Sequence, residues 1–92
     1  MNDNVIDNPA QSRFELAIGD ELALAYYRLE GQRIVLVHTE VPHALSGQGI
    51  GTRLARGVFE NLRARNMRVI VKCPFTSVFA TKHPEYASII DG

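Results

Sequence analysis

Three glycines at two-residue spacing, Gly47, Gly49 and Gly51, join a run dense in β-branched residues to a long apolar stripe. Upstream, Arg33 to Val41 contains Ile34, Val35, Leu36 and Val37, which reads as a strand. Pro42 ends it, because proline has no N–H to give a sheet ladder. Downstream, Ile50, Leu54, Ala55, Val58, Phe59 and Leu62 recur at three- and four-residue spacing, the stripe of an amphipathic helix. Arg53, Arg56, Glu60, Arg63 and Ala64 fall outside that stripe, and Asn66 marks a helix stop. A strand running through glycines into a helix leaves backbone N–H groups unobstructed by any Cβ. They sit at the positive end of the helix dipole, so the junction suits a phosphate or diphosphate. A tight turn that needs glycine for backbone reasons alone is the competing reading, and the glycines by themselves do not separate the two. The G-x-G-x-G spacing is not the G-x-G-x-x-G of dinucleotide binders. No lysine follows Gly51 as a P-loop requires.

The remaining elements bracket this junction. Residues 1–12, rich in Asn, Asp, Pro, Gln and Ser, read as a flexible tail. Arg13 to Ile18 alternates polar and apolar, a strand pattern, and Gly19-Asp20 is a turn. Glu21 to Leu29 lies between two turn signals and is assigned a strand in a meander. Met67 to Cys73 reads as a strand ended by Pro74, and Thr76 to Lys82 as a short helix broken at His83-Pro84. A short apolar segment, Tyr86 to Ile90, follows. The predicted order over residues 13–92 is β-β-β-α-β-α, an α+β fold with helices packed on a mixed sheet.

Composition bounds the function. A chain of 92 residues is one domain with one modest core. Hydrophobic residues at 46% and charged residues at 22% exclude wholesale disorder. Ten basic and ten acidic residues cancel, which argues against nucleic-acid or membrane-surface partners. Arg53, Arg56, Arg63, Arg65 and Arg68 therefore read as a solvated face. One cysteine excludes an internal disulfide and a multi-thiolate zinc site, and no metal is expected. No apolar run approaches a membrane span of about 20 residues. The polar N-terminus is unlike a signal peptide. A cytoplasmic protein is expected, a monomer or weak homodimer through an open sheet edge.

Ser46-Gly47-Gln48-Gly49-Ile50-Gly51, placed after a strand and opening a helix, resembles the acetyl-coenzyme A motif of the GNAT N-acetyltransferase superfamily. That motif runs Arg or Gln, two residues, Gly, one residue, then Gly or Ala; Ser46 stands where Arg or Gln is usual. Three further blocks, His38 to Pro42, Cys73-Pro74-Phe75 and His83 to Tyr86, make the chain similar to a short GNAT subfamily from Phe14 to Ile90. The resemblance implies a minimal GNAT-like fold that binds acetyl-CoA. It implies that the strand His38 to Val41 splays from a neighbour ending at Cys73, with the pantetheine arm pairing along its backbone as far as Val41. The pyrophosphate would rest on the N–H groups of Gln48, Gly49, Ile50, Gly51 and Thr52. Arg53 would reach a CoA phosphate, against the competing reading of a solvated helix charge. Larger members place two helices where this chain has a turn between its first two strands. They often carry a tyrosine that protonates the CoA thiolate, where rough alignment puts Phe79.

Three residues are candidate catalytic groups. Cys73 falls where the resemblance places the acyl thioester, and a thiolate there is able to accept an acetyl group and pass it on. Its competing reading is a small buried hydrophobe. His38 and Glu40 share a strand face by the two-residue period, and either is able to deprotonate an incoming ammonium. A hydrogen-bonded sheet histidine and a solvated strand-end carboxylate compete with those roles. Thr39, on the opposite face, is expected to pack or hydrogen-bond, His43 to be exposed, and Tyr86 to pack its ring with the hydroxyl outward. The expected function is transfer of an acetyl group from acetyl-CoA to an amine, either a small molecule or a lysine. The alternatives are a non-catalytic acyl-CoA binding or sensing module, and an interaction domain whose glycines only shape a turn.

Overall fold

Among the described residues, five strands form one sheet in sequence order: β1 (Val5–Asn8), β2 (Arg13–Ile18), β3 (Glu21–Glu30), β4 (Arg33–Glu40) and β5 (Arg68–Val71). The computed structural model describes residues 4–92. The first four strands form an antiparallel meander. β5 returns parallel to β4. That parallel pairing needs a crossover, which is helix α1 (Ile50–Ala64). Helix α2 (Pro74–Lys82) follows β5, and 3-10 turns occupy Pro9–Gln11, His43–Leu45 and Pro84–Ile89. The mixed sheet with packed helices is the α+β architecture read from the sequence.

The expectation for residues 1–12 is corrected. The tail predicted over residues 1–12 contains a strand and a 3-10 turn, and only residues 1–3 lie outside the described residues. The observed order is therefore β-β-β-β-α-β-α. Four residues carry too short an alternation to register as a strand, and what holds them is tertiary. Val5 pairs with Leu16 and packs against Gly57 of α1, where an added Cβ would lie 2.1 Å from Val5 Cγ2. The Tyr27 hydroxyl donates to Asp7 at 2.7 Å, and Arg65 from the end of α1 reaches the other Asp7 oxygen at 3.0 Å. Burial, then the Asp7 hydrogen bond, push the Tyr27 hydroxyl up to about 12.

The core lies between one face of the sheet and the helices. Phe14, Leu16, Ala23, Ala25, Tyr27 and Leu36 meet Leu54, Val58, Phe59 and Leu62 of α1. The small Ala23 and Ala25 let α1 lie close to β3, the strand it contacts most. At the far end Phe59 stacks on Phe79 of α2 and on Tyr86, with ring centroids 5.7 and 5.3 Å apart. Aromatic pairs of this kind add about 0.5–1.5 kcal/mol beyond area burial, which ties α2 and the last 3-10 turn to α1. Tyr86 is fully buried and its hydroxyl donates to Glu60 at 2.6 Å, so it does not point outward as expected.

The outer edge of β5 is covered by the chain itself. The Val71 N–H donates to the Gly92 carbonyl at 2.7 Å, and the Asp91 N–H to the Val69 carbonyl at 2.8 Å. Arg33 and Arg68 both bond the Asp91 carboxylate, which clamps this last pairing. An edge so covered offers no template for another strand. β1 forms the opposite end of the sheet.

Candidate functional site

The site begins where β4 and β5 part. Their parallel register runs from Arg33 opposite Arg68 to Leu36 opposite Val71 and stops. The Leu36 carbonyl then accepts from two successive amides, Lys72 at 2.9 Å and Cys73 at 3.0 Å. On the other side of β4, Tyr27 faces Leu36 while Tyr26 faces His38, so Val37 is an extra residue in a bulge. A bulge bends its strand and sharpens the local twist. β4 continues to Glu40 while Pro74, at the first position of α2, turns the other chain away. The strands therefore diverge after Leu36, along the stretch His38 to Val41 where the resemblance to GNAT proteins implied a splay.

Thr39 and Cys73 face each other across this divergence, Oγ1 to Sγ 3.1 Å. Cys73 is 3% exposed. Burial pushes its thiol pKa up. The Thr39 hydroxyl, with the Thr76 and Phe75 amides of the first turn of α2, more than offsets this and holds the thiol below its ordinary range. Of these groups the Thr39 hydroxyl is the leading one. Thr76, itself buried, bonds the Cys73 carbonyl at 3.2 Å and fixes the residue from behind.

The glycine junction flanks the same opening. Gly47 and Gly49 have φ of 77° and 72°, the left-handed region that L side chains avoid. Gly49 is the N-cap of α1 and supplies no side chain to bond the first turn. Its carbonyl receives the Arg53 N–H at 3.1 Å. The amides of Ile50, Gly51 and Thr52 precede the first intrahelical bond and find no carbonyl within the helix. An added Cβ at Gly47 or Gly49 would meet nothing within 4 Å, so both are glycine for conformation. A cavity of about 250 Å³ lies here, between these amides and an apolar wall that includes Val41, Leu45, Ile50 and Phe75. Ser46, which replaces the usual Arg or Gln, also lines it. Bare amides, left-handed glycines and an adjacent cavity fit a diphosphate with an uncharged arm.

The other predicted residues distribute around this centre. Gln48 is exposed and its side chain reaches back toward the Ala44 carbonyl at 3.5 Å. Arg53 sits exposed in the first turn of α1, and His43 is exposed as expected. His38 Nε2 lies 3.2 Å from Glu40 Oε2, with side chains 60% and 54% exposed. The His38 ring stacks on Tyr26, centroids 6.1 Å apart. Strand alternation sets this pair on the opposite face of β4 from Thr39. The structure thus unites Cys73 with Thr39 and His38 with Glu40, and separates the two pairs by the strand. The remaining arginines of the proposed solvated face are exposed but engaged with carboxylates: Arg56 with Glu85, Arg63 with Glu60, Arg65 with Asp7 and Arg68 with Asp91. Sequence reasoning missed Phe75 and Tyr26 at the site. The only local signal for Phe75 was its place directly after Cys73-Pro74.

A splayed parallel pair beside an uncapped helix start defines the class, and family comparison agrees: the model of the GCN5-related N-acetyltransferase family matches residues 13–89, so the chain belongs to that family. Among solved structures it is similar to a GCN5-like candidate N-acetyltransferase from Staphylococcus aureus, determined in solution by NMR. The two share 28% identity at a TM-score of 0.71, over 99% of this chain and 90% of that one. Among curated proteins it is 36% identical to Protein NATD1 of Bos taurus over 63 residues, 67% of this chain. The matched stretch spans 56% of that relative, so this chain accounts for about half its length. Among the described residues no helix is long and apolar enough to cross a membrane, and no cluster of three metal-ligating side chains occurs.

Proposed function

We propose that the chain binds acetyl-CoA and transfers its acetyl group to an amine, either a small molecule or a lysine side chain. The observation that carries this is the junction at Gly49: left-handed glycines and side-chain-free amides at the start of α1, opening directly beside the divergence of β4 and β5. Gln48, Gly49, Ile50, Gly51 and Thr52 would hold the diphosphate through backbone N–H groups, with Arg53 beside them. The backbone of β4 beyond Leu36, where it is free of β5, and of Val41 after it would hold the arm. When bound, acetyl-CoA supplies the acyl group already activated as a thioester.

The chain's own groups divide the remaining work. His38 and Glu40, hydrogen-bonded and exposed, are able to take the proton an ammonium must lose before it attacks. Cys73, with its thiol held below the ordinary range, is the candidate nucleophile of a covalent route. Direct attack by the amine needs no such step. The single unpaired thiol suits a reducing compartment, and we assign the protein to the cytoplasm, as a monomer or weak homodimer.

The separation of His38 and Glu40 from a nearly inaccessible Cys73 supports one other reading, a module that binds or senses acyl-CoA without turnover. Release of CoA thiol from acetyl-CoA, measured with and without a panel of amines, separates the two. Release only when an amine is present supports the transferase; binding without release supports the module. Binding itself reads out as thermal stabilisation, since a ligand at a hundred times its Kd adds about 2.7 kcal/mol. No shift at millimolar CoA overturns both and leaves a glycine turn of structural purpose only.

A further inference from the structure

Phe75, in the first turn of α2, is a large aromatic left 43% exposed. The tip of its ring comes so close to α1 that a Cβ on Gly51 would fall 2.7 Å from Cζ and 3.2 and 3.3 Å from the two Cε atoms. Gly51 does not have the positive φ of Gly47 and Gly49, so backbone conformation does not demand glycine there. What demands it is the ring. The same ring lines the cavity of about 250 Å³ at the glycine junction, together with Val41, Leu45 and Ile50. The cavity therefore has two chemically different walls. One is backbone N–H at a helix start, which favours negative charge. The other is aromatic and aliphatic carbon, which favours uncharged, partly apolar groups.

We propose that Phe75 is a binding residue that selects for the uncharged arm of a CoA-type ligand, and that Gly51 is glycine in order to seat its ring. This deepens the acetyl-CoA reading and rests on it. The amides recognise the diphosphate; Phe75 distinguishes a diphosphate that carries an arm from one that does not. A residue with this role sets affinity for CoA without setting affinity for ADP, which has the diphosphate and lacks the arm.

The test compares CoA and ADP as probes, by calorimetry or by amide chemical-shift titration, on the full chain. Phe75→Ala is expected to weaken CoA binding about tenfold, the scale of losing one aromatic contact, and to leave ADP within about twofold. Gly51→Ala is expected to weaken CoA similarly with little change in Tm, because the clashing atoms end a half-exposed side chain that is able to swing away. Gly51→Ala combined with Phe75→Leu is expected to recover part of the CoA affinity lost by Gly51→Ala alone, a non-additivity that contact between the two positions requires. Equal CoA binding by wild type and Phe75→Ala overturns the inference while the cofactor reading stands. Equal losses for CoA and ADP overturn it too, since the ring would then merely shape the loop. Failure of the wild-type chain to bind CoA overturns the cofactor reading and the role of Phe75 with it.

Discussion

Thr39 Oγ1 lies 3.1 Å from Cys73 Sγ across the point where β4 and β5 cease to pair. Up to Leu36 on one side and Cys73 on the other the two chains are held by backbone hydrogen bonds; beyond Leu36 this side-chain contact bridges the two walls of the opening. One contact thus does two things: it limits how far the strands separate, and it biases the ionisation of the only thiol in the chain.

Thr39→Val should therefore raise the pKa of Cys73. Burial alone pushes the thiol up, and the hydroxyl is the first of the groups that oppose it. With less thiolate at neutral pH, reaction with a small alkylating agent should slow by a factor of about three or more. The pH profile of that rate checks the prediction; an unshifted profile shows that Thr39 does not stabilise the thiolate. Cys73→Ala addresses the chemistry separately. If acetyl transfer proceeds at an unchanged rate without the sulfur, the amine attacks directly.

Gly49→Val should abolish CoA binding and leave the fold. Open space surrounds the position, so no packing is lost. The cost arises from the left-handed φ of 72°, about 1–2 kcal/mol for a residue with a Cβ, which a folded domain usually survives. The branched side chain would stand over the amides meant for the diphosphate. Denaturant unfolding measures the first effect and CoA titration the second; normal CoA binding by this variant would show that the ligand does not use this junction.

Much of this was legible because it rests on local chemistry. Arg13–Ile18 alternates cleanly, Ile50 to Leu62 is one helical stripe, and Pro42 and Pro74 end strands for reasons internal to proline. The glycine junction was legible for the same reason. Relations between distant segments were not. β1 is four residues whose strand state depends on Gly57 and Tyr27, far along the chain. Tyr86 was expected outward because nothing near it in sequence announces Glu60 as its partner. That His38 and Glu40 lie on the face opposite Thr39 follows from strand alternation and was legible, but that Thr39 meets Cys73 depends on the divergence of β4 from β5 after Leu36, which no spacing rule encodes. Family resemblance supplied the divergence in advance, but not which side chains bridge it.

Gly57→Ala tests the placement of β1. In an exposed helix interior, alanine for glycine adds about 1 kcal/mol of stability. Here the new methyl would meet Val5 Cγ2 at 2.1 Å and Val5 Cβ at 2.8 Å, and a contact at Cβ cannot be relieved by rotating a rotamer. Overpacking of this kind costs about 1–3 kcal/mol, so the sign reverses and the variant should be less stable. Loss of amide-exchange protection should concentrate in Val5–Asn8, and Val5→Ala in the same background should restore part of the stability by removing the Cγ2 contact. A stabilised Gly57→Ala would mean that β1 does not rest on α1.

Asp91 gives the fold a defined acid limit. Arg68 first and Arg33 second hold its carboxyl at about 2, below the ordinary 3.8. A carboxylate depressed in the folded state stabilises above its unfolded value and loses that contribution as pH falls through its folded one. The contribution should therefore be complete above pH 3.8 and fade toward pH 2. Asp91→Asn removes the charge at every pH. Its Tm should lie below that of the wild type at about pH 5, and the two curves should converge as the wild-type carboxyl protonates. The gap should be modest and should narrow in high salt, because the ion pairs are solvent-accessible and screened. Coincident curves at about pH 5 would assign the role of Asp91 to its backbone pairing with Val69, which the substitution leaves intact, rather than to its charge.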